Sequence, residues 1–232
     1  MNFMDPLQFL HANYGYDSSL VKQVVPGEIY TAVELNDGSI GVCSGLSGIG
    51  NQRILNIGEP KLANLHHRLF LSAYYSALLN YRREYKENAD MVDSIDFSVY
   101  QAPVMIGYSK PLVKRIEGQV LRLRVFDHHK DDEALEPMSE QADACKNADC
   151  IIATATTIFN NSFGLIVKEM RNDCDLLLFG PSSILDTDMQ RHFRIKNIFG
   201  MTFHTDKQKL LSLVKKGGGA QEFKHLGTRV YI

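Results

Sequence analysis

Leu62, Leu65, Leu69, Ala73, Ala77 and Tyr81 recur at spacings of three and four, which predicts a helix with one apolar stripe running to about Glu87. Upstream the period changes to two, and residues 28–35 and 39–43 read as strands. In the first of these Ile29, Thr31, Val33 and Leu35 fall on one face, with Tyr30 and Glu34 on the other. Asn36-Asp37-Gly38 joins the two, and Asp-Gly supplies the positive φ of a tight hairpin turn. Before them Asp5 is a natural N-cap, Pro6 suits a first helical position and Gly15 suits a helix end. Leu46-Ser47-Gly48-Ile49-Gly50 reads as a glycine-rich loop. A hairpin packed on helices makes a small α+β unit.

The second half alternates differently. Apolar runs at 103–107, 120–126, 150–155, 176–180 and 195–201 are separated by helical patterns at 110–117, 139–147, 162–171 and 187–193, with another at 206–216. Ser139 reads as an N-cap, and Gly118 and Gly217 as terminators. Short hydrophobic strands alternating with helices predict right-handed crossovers and a parallel sheet covered on both faces. The stretch 88–100 is acidic and weakly periodic, and the junction belongs there. The expected class is α/β: a small α+β domain over 1–90, then a Rossmann-like doubly wound domain over 91–232.

Composition narrows the functions. With 25 Lys plus Arg against 27 Asp plus Glu in 232 residues, the net charge of -2 argues against gripping nucleic acid. The apolar runs fall far short of the roughly 20 residues that cross a bilayer, and the first residues show no basic segment leading into an apolar one. A soluble cytoplasmic protein without a membrane partner is the expectation; a homo-oligomer stays open. Cys43, Cys145, Cys150 and Cys174 include no CxxC pair, so buried free thiols are expected in place of a disulfide scaffold or zinc ribbon.

The candidate chemistry gathers at the strand ends. These carry Gly107-Tyr108-Ser109, Asp127-His128-His129, Thr154-Ala155-Thr156-Thr157 and Gly180-Pro181-Ser182-Ser183. In a parallel sheet they line one edge, where ligands bind at the topological switch point. Hydroxyls and close backbone N–H groups suit a phosphate, carboxylate or ribose better than a bare soft metal. Asp127 lies 20 residues after Gly107, where dinucleotide folds hold a ribose hydroxyl, although Asp131, Asp132 and Glu133 also allow a solvated acidic loop. Ser109 fits either a cofactor contact or an N-cap, and Gly180-Pro181-Ser182 either a contact or a rigid turn. Thr154, Thr156, Thr157 and Asn160 exceed what one helix cap needs and read as ligand contacts.

Metal and hydrolase motifs are weaker. His66-His67, His128-His129 and His204 lack chelating spacing, so no metal site is assigned. There is no GxSxG elbow or Walker A loop, and catalysis stays undecided. Lys215-Lys216-Gly217-Gly218-Gly219 reads as a helix end, with an anion nest as the alternative.

The ordered set GYSKPLVKRIEG, VFD, PMSEQADACKNADCIIATATTIFNNSFG, LLLFGPSSIL, IFG and GGG resembles the putative heavy-metal chelation protein family, from about Gly27 to the C-terminus. The resemblance implies an enolase-N-terminal-like domain before a Rossmann-like domain, with an active site in the cleft between them. Gly107, Asp127, Thr154, Thr156, Thr157, Asn160, Gly180, Pro181 and Ser182 match the family pattern. The chain departs from it at Asn161-Ser162, where the pattern has Gly-Thr, and at Ser183-Ile184, where it has Thr-Pro. The matched groups are hydroxyls, amides and backbone, not the converging thiolates or imidazoles of a heavy-metal site. The expected ligand is therefore a small anionic or nucleotide-like molecule, a chelator or metal-chelate among them, held between the domains. A transferase acting on a chelator precursor with a nucleotide-like cofactor, and a non-catalytic adaptor, are the alternatives.

Overall fold

The computed structural model describes residues 4–45, 57–85, 90–128 and 132–232. Helix α1 (Pro6–Tyr14) starts as its sequence predicts. The Asp5 carboxylate accepts the N–H groups of Leu7 and Gln8, Gln8 returns a bond to the Asp5 N–H, and Gly15 closes the helix at φ 63. Three antiparallel strands follow in the order β1 (Val21–Pro26), β2 (Tyr30–Leu35), β3 (Ile40–Ser44). The hairpin through Asp37-Gly38 is present, with Gly38 at φ 84. Strand β1 has no clear alternation and was not anticipated. It makes β2 a central strand, buried along its whole length. Both faces of β2 are therefore covered, and Glu34 sits inside, bonded to Lys22 at 2.9 Å and Gln23 at 2.6 Å.

Helix α2 (Leu65–Leu79) packs over β2 and β3. It is shorter than its pattern suggests: Asn80 ends it, because the Asn80 amide turns to neighbouring loops. Burial also runs around most of its circumference, not along one stripe. The loop at 46–50 and residues 86–89 lie outside the described residues. A short helix α3 (Met91–Ser94) leads into the large sheet.

That sheet has six strands in the order β5-β4-β6-β7-β8-β9: β4 (Pro103–Ile106), β5 (Arg124–Phe126), β6 (Cys150–Thr154), β7 (Asp175–Phe179), β8 (Ile195–Thr202) and β9 (Thr228–Tyr231). Pairs from β5 through β8 are parallel, and β9 closes the edge antiparallel to β8. Between them run α4 (Lys110–Glu117), α5 (Gln141–Asn147), α6 (Thr156–Phe159), α7 (Phe163–Glu169), α8 (Thr187–His192), α9 (Lys207–Lys215) and α10 (Ala220–Phe223). The chain steps from β4 to β5 on one side and returns to β6 on the other. The switch point thus lies between the carboxyl ends of β4 and β6.

Several local expectations are corrected. The run at 120–126 yields only a three-residue strand, and Leu121 ahead of it is fully exposed. The pattern at 162–171 splits, with α6 beginning at Thr156 and α7 ending at Glu169. Ser139 does not cap a helix; it lies in a 3-10 turn, Met138–Glu140, ahead of α5. Gly118 ends α4 at an ordinary φ of -68. Gly217 does take a left-handed φ of 82: its N–H reaches the Val214 carbonyl and the Gly218 N–H the Leu213 carbonyl. The Gly219 N–H donates to the Glu222 carboxylate, so the glycine run is a helix cap already occupied by an anion of its own.

One hydrophobic cluster runs from Leu7, Val33 and Leu69 to Ile106, Ile151 and Leu176, so both sheets share it. Met105, Ile152 and Leu177, alternating with those residues, face a second cluster with Val113 and Ile116. Both faces of the large sheet are covered, as a parallel sheet requires. Among the described residues no helix is long and apolar enough to cross a membrane.

Candidate functional site

At the switch point only glycine fits after β4. Gly107 holds φ 92, and a Cβ there would stand 2.4 Å from Thr154 Cγ2 at the end of β6. The Gly107 N–H donates to the Phe126 carbonyl at 2.8 Å, and the next N–H, of Tyr108, donates to Asp127 Oδ2 at 2.7 Å. The turn after β4 and the turn after β5 are thereby tied. Partial burial, and then its bond to the Asp132 carboxylate, raise the Tyr108 hydroxyl above its ordinary pKa. The Ala134 N–H and that hydroxyl lower Asp132 in turn.

The turn after β6 is internally bonded and held from below. Thr157, 2% exposed, donates its hydroxyl to the Thr154 carbonyl at 2.7 Å. Thr156 Oγ1 makes a longer contact of 3.4 Å with Thr154 Oγ1. Asn160 Oδ1 accepts the N–H and hydroxyl of Ser162 at 3.0 and 2.7 Å. Asn161 takes φ 64, a conformation asparagine tolerates better than most residues. Beneath lies Arg68 of α2, 5% exposed: Nε donates to the Phe159 carbonyl and Nη2 to that of Ile158, both at 2.7 Å.

The turn after β7 is anchored by the other end of the same helix. Asn80, fully buried, donates to the Ser183 carbonyl at 2.9 Å and accepts the Leu185 N–H at 2.7 Å. Gly180 takes φ 118, and Ser182 Oγ accepts the Ser44 N–H at 2.9 Å, pinning the end of β3 to this turn.

These elements enclose a cavity of about 370 Å³. Of the residues singled out by sequence, Gly107, Tyr108, Asp127, Thr154, Thr156, Thr157 and Asn160 line it together. Ser109, Gly180, Pro181 and Ser182 do not. Ser109 begins α4 without a side-chain cap bond, and the Gly180–Ser182 turn lies behind Ser44. Ser44 and Gly45 from the small sheet complete one wall, and Gln141, Leu165 and Phe179 were not foreseen as lining. Roomier grooves of about 520 and 740 Å³ lie at residues 172–196 and between β1 and α9, away from the strand ends.

Arg68 and Asn80 were also missed, though Arg68 left a trace. A lone arginine inside LHHRLFLSAYYSALL signals a buried, paired charge, because unpaired arginine is almost never fully buried.

Among the described residues the donor set does not fit a resident heavy-metal ion. Burial pushes the Cys43 and Cys174 thiols up to about 12 and Cys145 to about 11, and raises Cys150 well above its ordinary value. None of the four cysteines lines the cavity, whose described polar lining is mostly hydroxyl and amide. Among the described residues no group of three or more His, Cys, Asp or Glu is placed to hold a metal.

Three comparisons bear on this geometry. The family pattern described as "Putative heavy-metal chelation" (DUF364) matches residues 90–232. No curated protein matches the chain. A crystal structure of a DUF364 protein with unknown function from Pyrococcus horikoshii is similar at 22% identity and a TM-score of 0.78, over 91% of this chain and 92% of that one. Another, from Desulfitobacterium hafniense DCB-2 and also of unknown function, has 16% identity and a TM-score of 0.75, over 100% and 99%.

Proposed function

Starting from the premise that the chain belongs to the DUF364 family, described as "Putative heavy-metal chelation", we propose that it handles metal through a small organic molecule held in the switch-point cavity. That molecule is a chelator, a metal-chelate or a nucleotide-like partner of one. The observation that carries this reading is convergence: the turns after β4, β5 and β6 meet Ser44 and Gly45 of the small sheet around one hollow of about 370 Å³. Hydroxyl and amide groups dominate its polar lining, and such groups orient an organic ligand better than they grip a soft cation.

A second reading, a transferase acting on a chelator precursor with a nucleotide-like cofactor, draws on Asp127. It stands at the end of the second strand, bonded to the turn after the first, where dinucleotide folds hold ribose.

Native mass spectrometry with metal analysis of the freshly purified full chain tests the proposal. A retained organic mass, with any metal present only alongside it, supports it. Stoichiometric metal on protein free of organic ligand would overturn it. Thr156→Val with Asn160→Ala should lose the retained mass while the chain stays folded.

A further inference from the structure

A groove of about 520 Å³ opens at the amino ends of β7 and β8, on the edge of the large sheet opposite the strand-end cavity. Arg191, Arg194 and Lys196 line it against Asp173 and Asp175. Both acids already have donors of their own. Arg171 holds Asp173, and the Lys196 ammonium and the Tyr100 hydroxyl each reach Asp175 Oδ2 at 2.6 Å.

Arg194 is held differently. Its Nη1 donates to Asn172 Oδ1 at 3.1 Å, and among the described residues no carboxylate comes within ion-pair reach of it. A neutral amide orients a guanidinium without cancelling its charge, and most of the donors of the fork stay open. Arg83 repeats the arrangement: its Nη2 donates at 3.2 Å to the hydroxyl of Thr187, which also lines the groove. Arg191, on α8, pairs with Asp188 one turn back. That pair is 79% and 60% exposed, so breaking it costs little.

The backbone gives an independent sign. Arg194 takes φ 53, in the left-handed region that a Cβ disfavours and glycine occupies freely. The turn from α8 into β8 therefore carries an arginine where helix ends usually place glycine or asparagine. An arginine in such a conformation points to a task for its side chain.

We infer that this groove is a second binding site, for a small molecule that bears phosphate groups. Guanidinium forks match phosphate oxygens bidentately, and several of them suit an anion with more than one charge. Arg194 grips the anion, Arg191 turns from Asp188 to join it, and Arg83 adds its charge beside Thr187. The groove has more room than one phosphate fills and falls within the roughly 300–1,000 Å³ of small-molecule sites.

Inorganic pyrophosphate is the probe, titrated calorimetrically into the full chain at low and at raised salt, with thermal shift alongside. It should bind and raise the melting temperature, and raised salt should weaken it. Arg194→Gly should weaken binding tenfold or more while the ligand-free melting temperature holds or rises, because glycine relieves the left-handed backbone. Arg191→Gln, at an exposed helix position, should weaken binding severalfold with the fold intact, and it decides the matter if Arg194→Gly fails to fold. Lys209→Gln, on α9, removes one charge elsewhere and should change nothing. No pyrophosphate binding, binding unmoved by the arginine variants, or an equal loss in Lys209→Gln would overturn the inference. So would tighter binding of citrate, whose carboxylates would then be the recognised group. A melting temperature that falls in Arg194→Gly while binding persists would also overturn it, leaving Arg194 as a structural tie to Asn172.

Discussion

The Arg68 guanidinium and the Asp5 carboxylate form a two-pronged ion pair, 3.0 and 3.2 Å long, buried between α1, α2 and the turn after β6. Two further bonds from the same guanidinium reach the Ile158 and Phe159 carbonyls. Asp5 itself caps α1. One carboxylate thus joins the start of the chain to the cavity floor through a single arginine.

Arg68→Met should therefore cost about 3–5 kcal/mol, because it strands a buried carboxylate and frees two carbonyls. Urea unfolding measures it. Asp5→Asn, which preserves the cap acceptor, should recover part of the loss when added to Arg68→Met. No recovery in the double variant would mean that the pair is not the source of the cost.

Gly107→Ala should lose about 2–4 kcal/mol, from the left-handed backbone and from the 2.4 Å approach to Thr154 Cγ2. Adding Thr154→Ser deletes that methyl and should restore only part of the steric share, since the Thr154 Cβ still stands 2.8 Å away. Chemical denaturation of the two single variants and the double variant separates the contributions.

Asp37-Gly38, the N-cap at Asp5 and the alternation after residue 100 were legible because each is decided by residues close in sequence. Strand β1 was not, since Val21–Pro26 pairs with β2 but shows no apolar alternation. The antiparallel β9 escaped for a related reason: four residues at the end of the chain carry little period. Strand ends placed Gly107, Asp127 and Thr154 at one edge because all parallel strands point the same way. The anchors Arg68 and Asn80 act on residues 90 or more positions away, and no local pattern records a partner at that distance.

Tyr81 donates its hydroxyl to the Ile40 carbonyl at 2.7 Å and accepts the Phe203 N–H at 2.9 Å, joining β3 to the segment after β8. Burial pushes its hydroxyl up to about 12 from an ordinary value near 10. A group whose folded pKa is raised contributes stability that is complete below the unfolded value and drains away as pH climbs through the folded one. The protein should lose stability between about pH 10 and 12, and Tyr81→Phe should remove only the Tyr81 share of that fall, since burial raises Tyr14, Tyr30, Tyr75 and Tyr100 as well, while lowering stability at pH 7. Circular dichroism against pH, with tyrosinate absorbance recorded on the same samples, follows both. An equally steep alkaline loss in Tyr81→Phe would place the sensitivity elsewhere.

Cys43, Cys145, Cys150 and Cys174 are all buried and free, and burial raises every one of their thiols. Reactivity toward disulfide reagents follows the thiolate fraction and access, and both are low here. The native protein should release almost no thionitrobenzoate from Ellman's reagent at pH 8, and four equivalents once unfolded in guanidinium. The same burial predicts that mercuric or cadmium ion added to the native chain leaves those four thiols unmodified on the timescale of minutes. Rapid labelling of a cysteine in folded protein, or prompt protection of thiols by added metal, would return the cysteines to the metal chemistry. Slow labelling that tracks unfolding, and that speeds up in Arg68→Met, would place their reactivity under the control of global stability instead.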